Sequence, residues 1–325
     1  MGVRKIQKKD ISHIFTIWHQ AIHHGELLYK PMNQDVFISK FIENTLSFPI
    51  LSYAYEVDHQ PVGFISGVID TSKAKAYLTM IFIEPSFRHR GYGTALLNQF
   101  ENEIHKTYPK LISIDIIFFN PMTLEWIIPL TNQHDHPNAP GVDYDSIAHL
   151  FFKKNGYVEF AKQNSYYRNI QCFTYSNKIE ELSKSLFEKN IQVNLYDSKI
   201  HHGLQQLFDD LKNPYWQQEI TQAVEDNKPV LVASHDGHII GFTDPLRVQQ
   251  SLRGYFAGIG VHSAYRGLGV GKVLFAALCK ELSLLGAHYM SLFTGENNQA
   301  RKIYERENFV IVRSWANMRK EFKHA

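Results

Sequence analysis

Cysteine is nearly absent from this 325-residue chain, with only Cys172 and Cys279 present. So sparse a pair makes no disulfide framework and fits a reducing compartment. Neither sign of charge dominates: 34 Lys and Arg face 32 Asp and Glu, for a net charge of +2 with histidine neutral. No strong field therefore marks a nucleic-acid or membrane partner. No apolar run approaches the ~20 residues that span a bilayer. The basic opening over residues 1–10 is not followed by the apolar stretch of a secretory signal. These absences lead to the expectation of a cytoplasmic protein. What is plentiful is ordinary core material, 44% of the residues being hydrophobic. The 17 histidines make the surface more basic in mildly acidic conditions. At ~150 residues per domain, the length suggests two domains.

Hydrophobic periodicity and turn chemistry give the order of elements. A strand over 3–6 is followed by a helix to residue 24, with Asp10 as its N-cap, and a second helix over 34–44. Strands over 50–57 and 62–69 flank a hairpin loop, Asp58-His59-Gln60-Pro61. A strand over 76–83, a loop, a helix over 93–105 and a buried strand over 111–118 come next. A helix over 146–155, closed by Gly156, leads to a closing pair of strands over 157–161 and 166–171. After a linking helix over 179–189 the same order starts again. It runs through a strand over 191–195, helices over 201–211 and 216–226, and a hairpin around Asp236-Gly237. A strand over 255–261, a helix over 271–285 and a strand over 288–294 follow. A helix over 298–308 and strands over 309–313 and 315–320 complete it. The pattern predicts one domain over 1–175, a linker over 176–190 and a second domain over 191–325.

A repeated motif carries the chemistry. Arg88-His89-Arg90-Gly91-Tyr92-Gly93 and Arg266-Gly267-Leu268-Gly269-Val270-Gly271 both read R-x-x-G-x-G. Each follows an apolar strand and opens a helix. Glycine lets a backbone approach a ligand closely, and the free N–H groups of a first helical turn, Thr94 and Lys272 included, attract an anion. A pyrophosphate is the natural guest. A Walker loop is excluded, because Gly271-Lys272 is followed by Val273; a dinucleotide fingerprint fails because its last glycine is misplaced.

On these residues the chain resembles the GNAT N-acetyltransferases, whose coenzyme A signature is R/Q-x-x-G-x-G/A after a strand. A later family segment, N-x-x-A-x-x-x-Y-x-x-x-G-F, is matched by Asn297, Ala300, Tyr304, Asn308 and Phe309. Only the glycine departs, and Asn308 tolerates the left-handed conformation of such a cap. The resemblance covers nearly the whole chain as two copies. It implies two tandem α/β folds, each a central mixed, mostly antiparallel sheet flanked by helices. It also implies acetyl-CoA as cosubstrate and a primary amine of a small molecule or peptide as acceptor, in a monomer or homodimer.

The resemblance further implies a strand that splays from its neighbour, freeing backbone groups for the pantetheine arm and the thioester oxygen. Those positions are Ile259, Gly260 and Val261 in the second half, and Ile81, Phe82 and Ile83 in the first. The family's general acid falls on Tyr304, and Asn297 falls where the pantetheine arm is bound. Family members often use a glutamate base on the strand before the motif, but neither strand holds a carboxylate here. Glu296 and His262 are the remaining candidates, an imidazole being suited to proton transfer near neutral pH.

The halves differ. Arg88 and Arg266 are offset by 178 residues and Gly156 and Asn308 by 152, so the first half carries 26 extra residues between its motifs. They fall in a proline- and histidine-rich stretch over 121–145, whose His134, Asp135, His136 and Asn138 suggest substrate recognition; two histidines and one aspartate make a weak metal signal, and no metal is assigned. The first half has Phe152 at the acid position and Asp145 at the asparagine position. The favoured reading makes the second half the catalyst and the first a partner that still holds coenzyme A. An alternative gives the first half different chemistry through its long loop. A rival from another class is an acyl-CoA sensor or scaffold without turnover.

Overall fold

Two glycine turns that open helices and two splayed strand pairs organise the chain. A computed structural model describes residues 1–43, 48–118, 120–144 and 146–322. They form two compact units, one of residues 1–164 with 313–325 and one of residues 165–312. Contacts divide the chain between 164 and 165 and again between 312 and 313. The helix meant to link the halves lies inside the second unit, and residues from 313 onward join the first.

In the first unit, β1 (Gly2–Lys5), α1 (Ile11–His23), α2 (Gln34–Phe41), β2 (Ile50–Val57), β3 (Gln60–Asp70) and β4 (Lys75–Ile83) come in order. They are followed by α3 (Tyr92–Thr107), β5 (Ser113–Ile116), the short strands β6 (Trp126–Ile127), β7 (Asp135–His136) and β8 (Val142–Asp143), and α4 (Ile147–Lys154). Asn44, in the expected second helix, lies outside the described residues. Asp10 does not cap α1 with its side chain. It is buried, pairs with Arg4 at 2.6 Å and accepts from the Gln7 amide at 2.8 Å. The turn between β2 and β3 puts Asp58 and His59 at φ 47° and 64°, the left-handed pair that a tight hairpin needs. Leu96, Leu97, Phe100 and Ile104 of α3 pack on Ile65, Ile69 and Ile114 of the sheet.

The second unit holds α5 (Asn177–Phe187), β10 (Ile191–Leu195), α6 (Leu204–Leu211), α7 (Pro214–Glu225), β11 (Val230–His235) and β12 (His238–Pro245), after which come β13 (Arg253–Gly254), β14 (Ile259–Val261), α8 (Val270–Leu284), β15 (Tyr289–Gly295) and α9 (Arg301–Arg306). Its sheet order is β10-β11-β12-β14. Asp236 and Gly237 repeat the left-handed turn at φ 50° and 81°. Leu274, Phe275 and Leu278 of α8 are fully buried against Ala233 and Ile240.

Both expected closing strand pairs are instead single strands of 12 residues, β9 (Val158–Asn169) and β16 (Val310–Glu321). Each is divided between the units. In the first unit β16 pairs antiparallel with β5, Met318 opposite Ile116 and Glu321 opposite Ser113. Arg319 meets the buried Asp115 through Nε and Nη2 at 2.6 and 2.7 Å, and Lys75 reaches the same carboxylate at 2.8 Å. Burial pushes the Asp115 carboxyl up, but hydrogen bonds from Arg319, Lys75 and Ser113 outweigh it and leave the group below the usual carboxylate range. Among the described residues no helix is long and apolar enough to cross a membrane.

Candidate active site

In the first unit β4 and β5 run parallel only from Lys75 opposite Ser113 to Tyr77 opposite Asp115. Beyond that the strands part, with an extra residue, Thr79, bulged out of the β3–β4 register. The Glu84 amide donates to the Val62 carbonyl at 2.9 Å, which fixes the alternation of the ladder. Phe82 is tied to Phe64 of β3, whereas the N–H and C=O groups of Ile81 and Ile83 point away from β3 into the gap. Arg88 turns back, donating from Nε to the Ile83 carbonyl at 2.8 Å and pairing with Glu26 at 2.7 Å. His89 and Gly91 both take positive φ, 61° and 80°. The first helical amide bond of α3 runs from Ala95 to Gly91 at 3.0 Å, so the amides of Tyr92, Gly93 and Thr94 are left for an anion. The Tyr92 ring is stacked on Tyr55 at 4.1 Å and offers only its backbone. His89, Arg90 and Thr94 are exposed around the turn.

A cavity of about 170 Å³ fills the gap, lined among others by Thr79, Ile81, Phe152, Tyr29, Asn138 and Asp143. Of the four residues singled out in the long stretch, only Asn138 reaches it. Asp135 and His136 are 5% and 1% exposed, which removes them from a cleft mouth. Asp135 pairs with Lys30 at 2.6 Å, and His136 stacks on Trp126 at 5.5 Å. The His134 carbonyl accepts from the Ile128 amide at 2.8 Å. The stretch is thus folded into the first unit: Met122, Leu124 and Val142 are buried in its clusters, and Trp126 buries its ring against His136 and Trp315 while its Nε1 donates to the Asn138 carbonyl at 3.0 Å. Asp145 lies outside the described residues.

In the second unit the expected strand over 255–261 is broken. β13 pairs parallel with β15, Arg253 opposite Tyr289 and Gly254 opposite Met290, and β14 pairs only with β12. Residues 255–258 between them are irregular because Asp244 holds them: its Oδ2 accepts from the amides of Ala257 and Gly258 at 2.6 Å each. The His262 amide donates to the Ile240 carbonyl at 2.8 Å, so here too the alternation ties Gly260 to β12 and turns the backbone groups of Ile259 and Val261 away. Gly260 is needed for packing, since a Cβ there would lie 2.5 Å from the Phe242 ring. Arg266 donates from Nε to the Val261 carbonyl at 3.3 Å. Gly267 and Gly269 are left-handed, and Arg266, Gly267 and Leu268 are exposed. Both Lys272 and Val273 donate their amides to Gly269, leaving those of Val270 and Gly271 available.

The two sites correspond in detail. A Cβ on Gly93 would meet the Phe151 ring and Ile83, and one on Gly271 would meet Ile303 and Val261. Phe151 therefore matches Ile303, which puts Phe152 at the place of Tyr304. Asn308 is left-handed at φ 56°, as Gly156 is at 85°. Tyr304 is 6% exposed, its ring packed on Phe275 at 5.0 Å, Phe256 at 5.8 Å and Tyr166 at 6.0 Å. Burial, and then the charge of Asp244, raise the phenol well above its ordinary range, so it keeps its proton near neutrality. Asp244 itself is fully buried, and burial pushes its carboxyl up to about 7 against the pull of the two amides. Its Oδ1 has no hydrogen-bond partner among the described residues.

Both bases expected from the sequence directly follow a strand, His262 after β14 and Glu296 after β15. His262 Nδ1 accepts from the Ala264 amide at 3.2 Å as a cap, and its Nε2 lies 4.0 Å from Asp210. The Glu296 carbonyl accepts from Arg301 at 2.7 Å. Asn297 is exposed, while its neighbour Asn298 caps the following turn, accepting from the Ala300 amide at 3.0 Å. Asp244 was missed because no motif marks it; its only signal was being the one carboxylate of β12. Beside it, a cavity of about 640 Å³ is lined by Tyr215, Glu219, Gln222, Leu246, Arg247 and Tyr255. The Tyr255 hydroxyl donates to Glu219 at 3.0 Å.

The family model described as "Acetyltransferase (GNAT) family" matches residues 14–114 and again 198–309. The chain belongs to the GNAT acetyltransferase family. Membership makes it an acyltransferase that draws on acyl-CoA. Solved GNAT structures share the tandem fold at low identity. A GCN5-related glucosamine N-acetyltransferase region of a fungal multi-domain GH3 β-N-acetylglucosaminidase matches 98% of this chain at 18% identity and a TM-score of 0.67, and this chain spans 38% of that protein's length. A GCN5-related N-acetyltransferase from Sphaerobacter thermophilus matches 99% of this chain and 96% of its own at 12% identity and a TM-score of 0.60. A tandem GNAT protein from the clavulanic acid biosynthesis pathway matches 99% of each chain at 14% identity and a TM-score of 0.57.

Proposed function

We propose that the chain moves an acetyl group from acetyl-CoA to a primary amine of a small molecule or peptide, with Tyr304 of the second unit as proton donor. The observation that carries this reading is the buried Tyr304 phenol, in a unit whose splayed β14 and glycine turn supply free amides. The pyrophosphate rests on the amides of Val270 and Gly271, and an outward amide of Ile259 or Val261 holds the thioester oxygen. The amine nitrogen attacks the carbonyl carbon, the C–S bond breaks, and the sulfur takes the Tyr304 proton. The proton shed by nitrogen goes to a carboxylate. Asp244 suits this role better than Glu296 or His262, because it ionises near neutrality and keeps one oxygen unpartnered. The cavity between Glu219, Arg247 and Tyr255 is wide enough for a small acceptor.

The test is thiol release from acetyl-CoA across a panel of amines. Tyr304→Phe keeps the ring and its packing, and loss of a general acid costs ~10²–10⁴-fold in rate. A variant that matches the wild type with its best amine rules out Tyr304 as the acid.

A further inference from the structure

We infer that the first unit is a second transfer site, in which Tyr29 supplies the proton that Phe152 cannot. The inference rests on the acetyl-CoA reading above. Phe152 stands where Tyr304 stands in the second unit, yet the rest of the first site is built. The outward backbone groups of Ile81 and Ile83, the glycine turn and the free amides of α3 are all present. The cavity at the parting of β4 and β5 is lined by Ile81, by Phe152 and by Tyr29 together.

Tyr29 is held there by the stretch that only the first half carries. The Ile127 amide donates to the Leu28 carbonyl at 3.1 Å and the Lys30 amide to the Glu125 carbonyl at 2.8 Å, so Tyr29 bridges to Trp126 as one rung of a short antiparallel pair. Trp126 is anchored in turn by Trp315 and His136. The Tyr29 hydroxyl bonds to no protein group among the described residues. Burial, then the charge of Asp143 on the same cavity wall, raise its pKa to about 12, so the hydroxyl keeps its proton near neutrality. A thiolate is the weaker base of the two, so the transfer to sulfur is coupled to the return of a proton from the acylated nitrogen. The amine nitrogen forms the C–N bond, the C–S bond breaks, sulfur takes the Tyr29 proton, and the phenolate regains the proton that nitrogen sheds.

Four full-length proteins decide the matter: wild type, Tyr29→Phe, Tyr304→Phe and the double variant. Each is assayed for amine-dependent thiol release and titrated calorimetrically with acetyl-CoA. Tyr304→Phe is expected to keep a measurable remainder of activity. Adding Tyr29→Phe should lower that remainder ~10²-fold or more with the number of acetyl-CoA sites unchanged. A double variant as active as Tyr304→Phe, or a Tyr304→Phe protein with no activity at all, overturns the role of Tyr29 and leaves that of Tyr304 standing. A wild type that releases no thiol with any amine overturns both.

Discussion

Arg88 donates from Nε to the carbonyl of Ile83 at 2.8 Å, closing the end of β4 onto the turn that follows it. Arg266 and Val261 repeat the arrangement at 3.3 Å. The arginine of each motif therefore braces the strand end whose outward groups face the cleft. Replacing Arg88 with Ala should weaken acetyl-CoA binding at the first site by about tenfold, the worth of one hydrogen bond from a charged group. The change in unfolding free energy should stay under ~1 kcal/mol, since the Glu26 pair is half-exposed. Titration calorimetry beside urea unfolding checks both halves of this expectation. A large loss of stability with unchanged affinity would contradict it.

Gly93 and Gly271 lie in the first turn of α3 and α8, and a Cβ at either would already stand 3.4 Å from a neighbouring side chain. Leucine at either position should remove one acetyl-CoA site per chain, and leucine at both should remove two. If the stoichiometry survives the double change, the anion seat lies elsewhere.

Asp244 sets a pH dependence. In the folded chain it holds its proton to about pH 7, and in the unfolded chain it releases it near 3.8. Between these values the folded state carries the extra proton, so stability falls as pH rises through this window, by at most about 1.4 kcal/mol per pH unit. Asp244→Asn should flatten that slope, and it should also remove the limb of the rate profile that rises near pH 7. Urea midpoints at pH 5 and pH 7.5 measure the first effect; equal slopes in wild type and variant would exclude Asp244 as the source.

The pair of Arg319 with Asp115 tests the contribution of β16 to the first unit. Arg319→Met should destabilise by about 2–3 kcal/mol. That is less than the ~3–5 for a buried pair left without a partner, because Lys75 remains on the carboxylate at 2.8 Å. Loss of under ~0.5 kcal/mol in chemical unfolding would show that Lys75 alone suffices.

The parts of the fold legible in the sequence are those decided within a few residues. Asp236-Gly237 announces a tight hairpin through the left-handed pair it must adopt, whereas the expected loop Asp58-His59-Gln60-Pro61 tightens to a turn at Asp58 and His59, with Gln60 and Pro61 already in β3. The glycine turns announce themselves by spacing, and Asn308 stands in for glycine because it tolerates positive φ. What was not legible depends on distant partners. Alternation over 157–171 and 309–320 fits a hairpin as well as one long strand, and the polar residues at their centres look like turns until their neighbours are known. The backbone break at 255–258 is made by Asp244, more than ten residues away. His136 reads as a surface ligand until Trp126 is seen to cover it. Tyr29 carries no motif, and only the segment 125–127 beside it reveals its place.

The placement of residues 313–322 has a consequence for biosynthesis. The β5 edge of the first unit stays open until β16 arrives, and the 148 residues of the second unit intervene. At ~5–20 residues per second the ribosome takes roughly 7–30 s to cross them. For that interval the nascent first unit exposes an unpaired strand and the buried Asp115 lacks its arginine. A gene cut between the motif copies would yield two fragments, and the one bearing Arg88 would lack a strand of its own sheet. Supplying residues 310–322 as a separate peptide should then rescue the fragment where a longer linker would not.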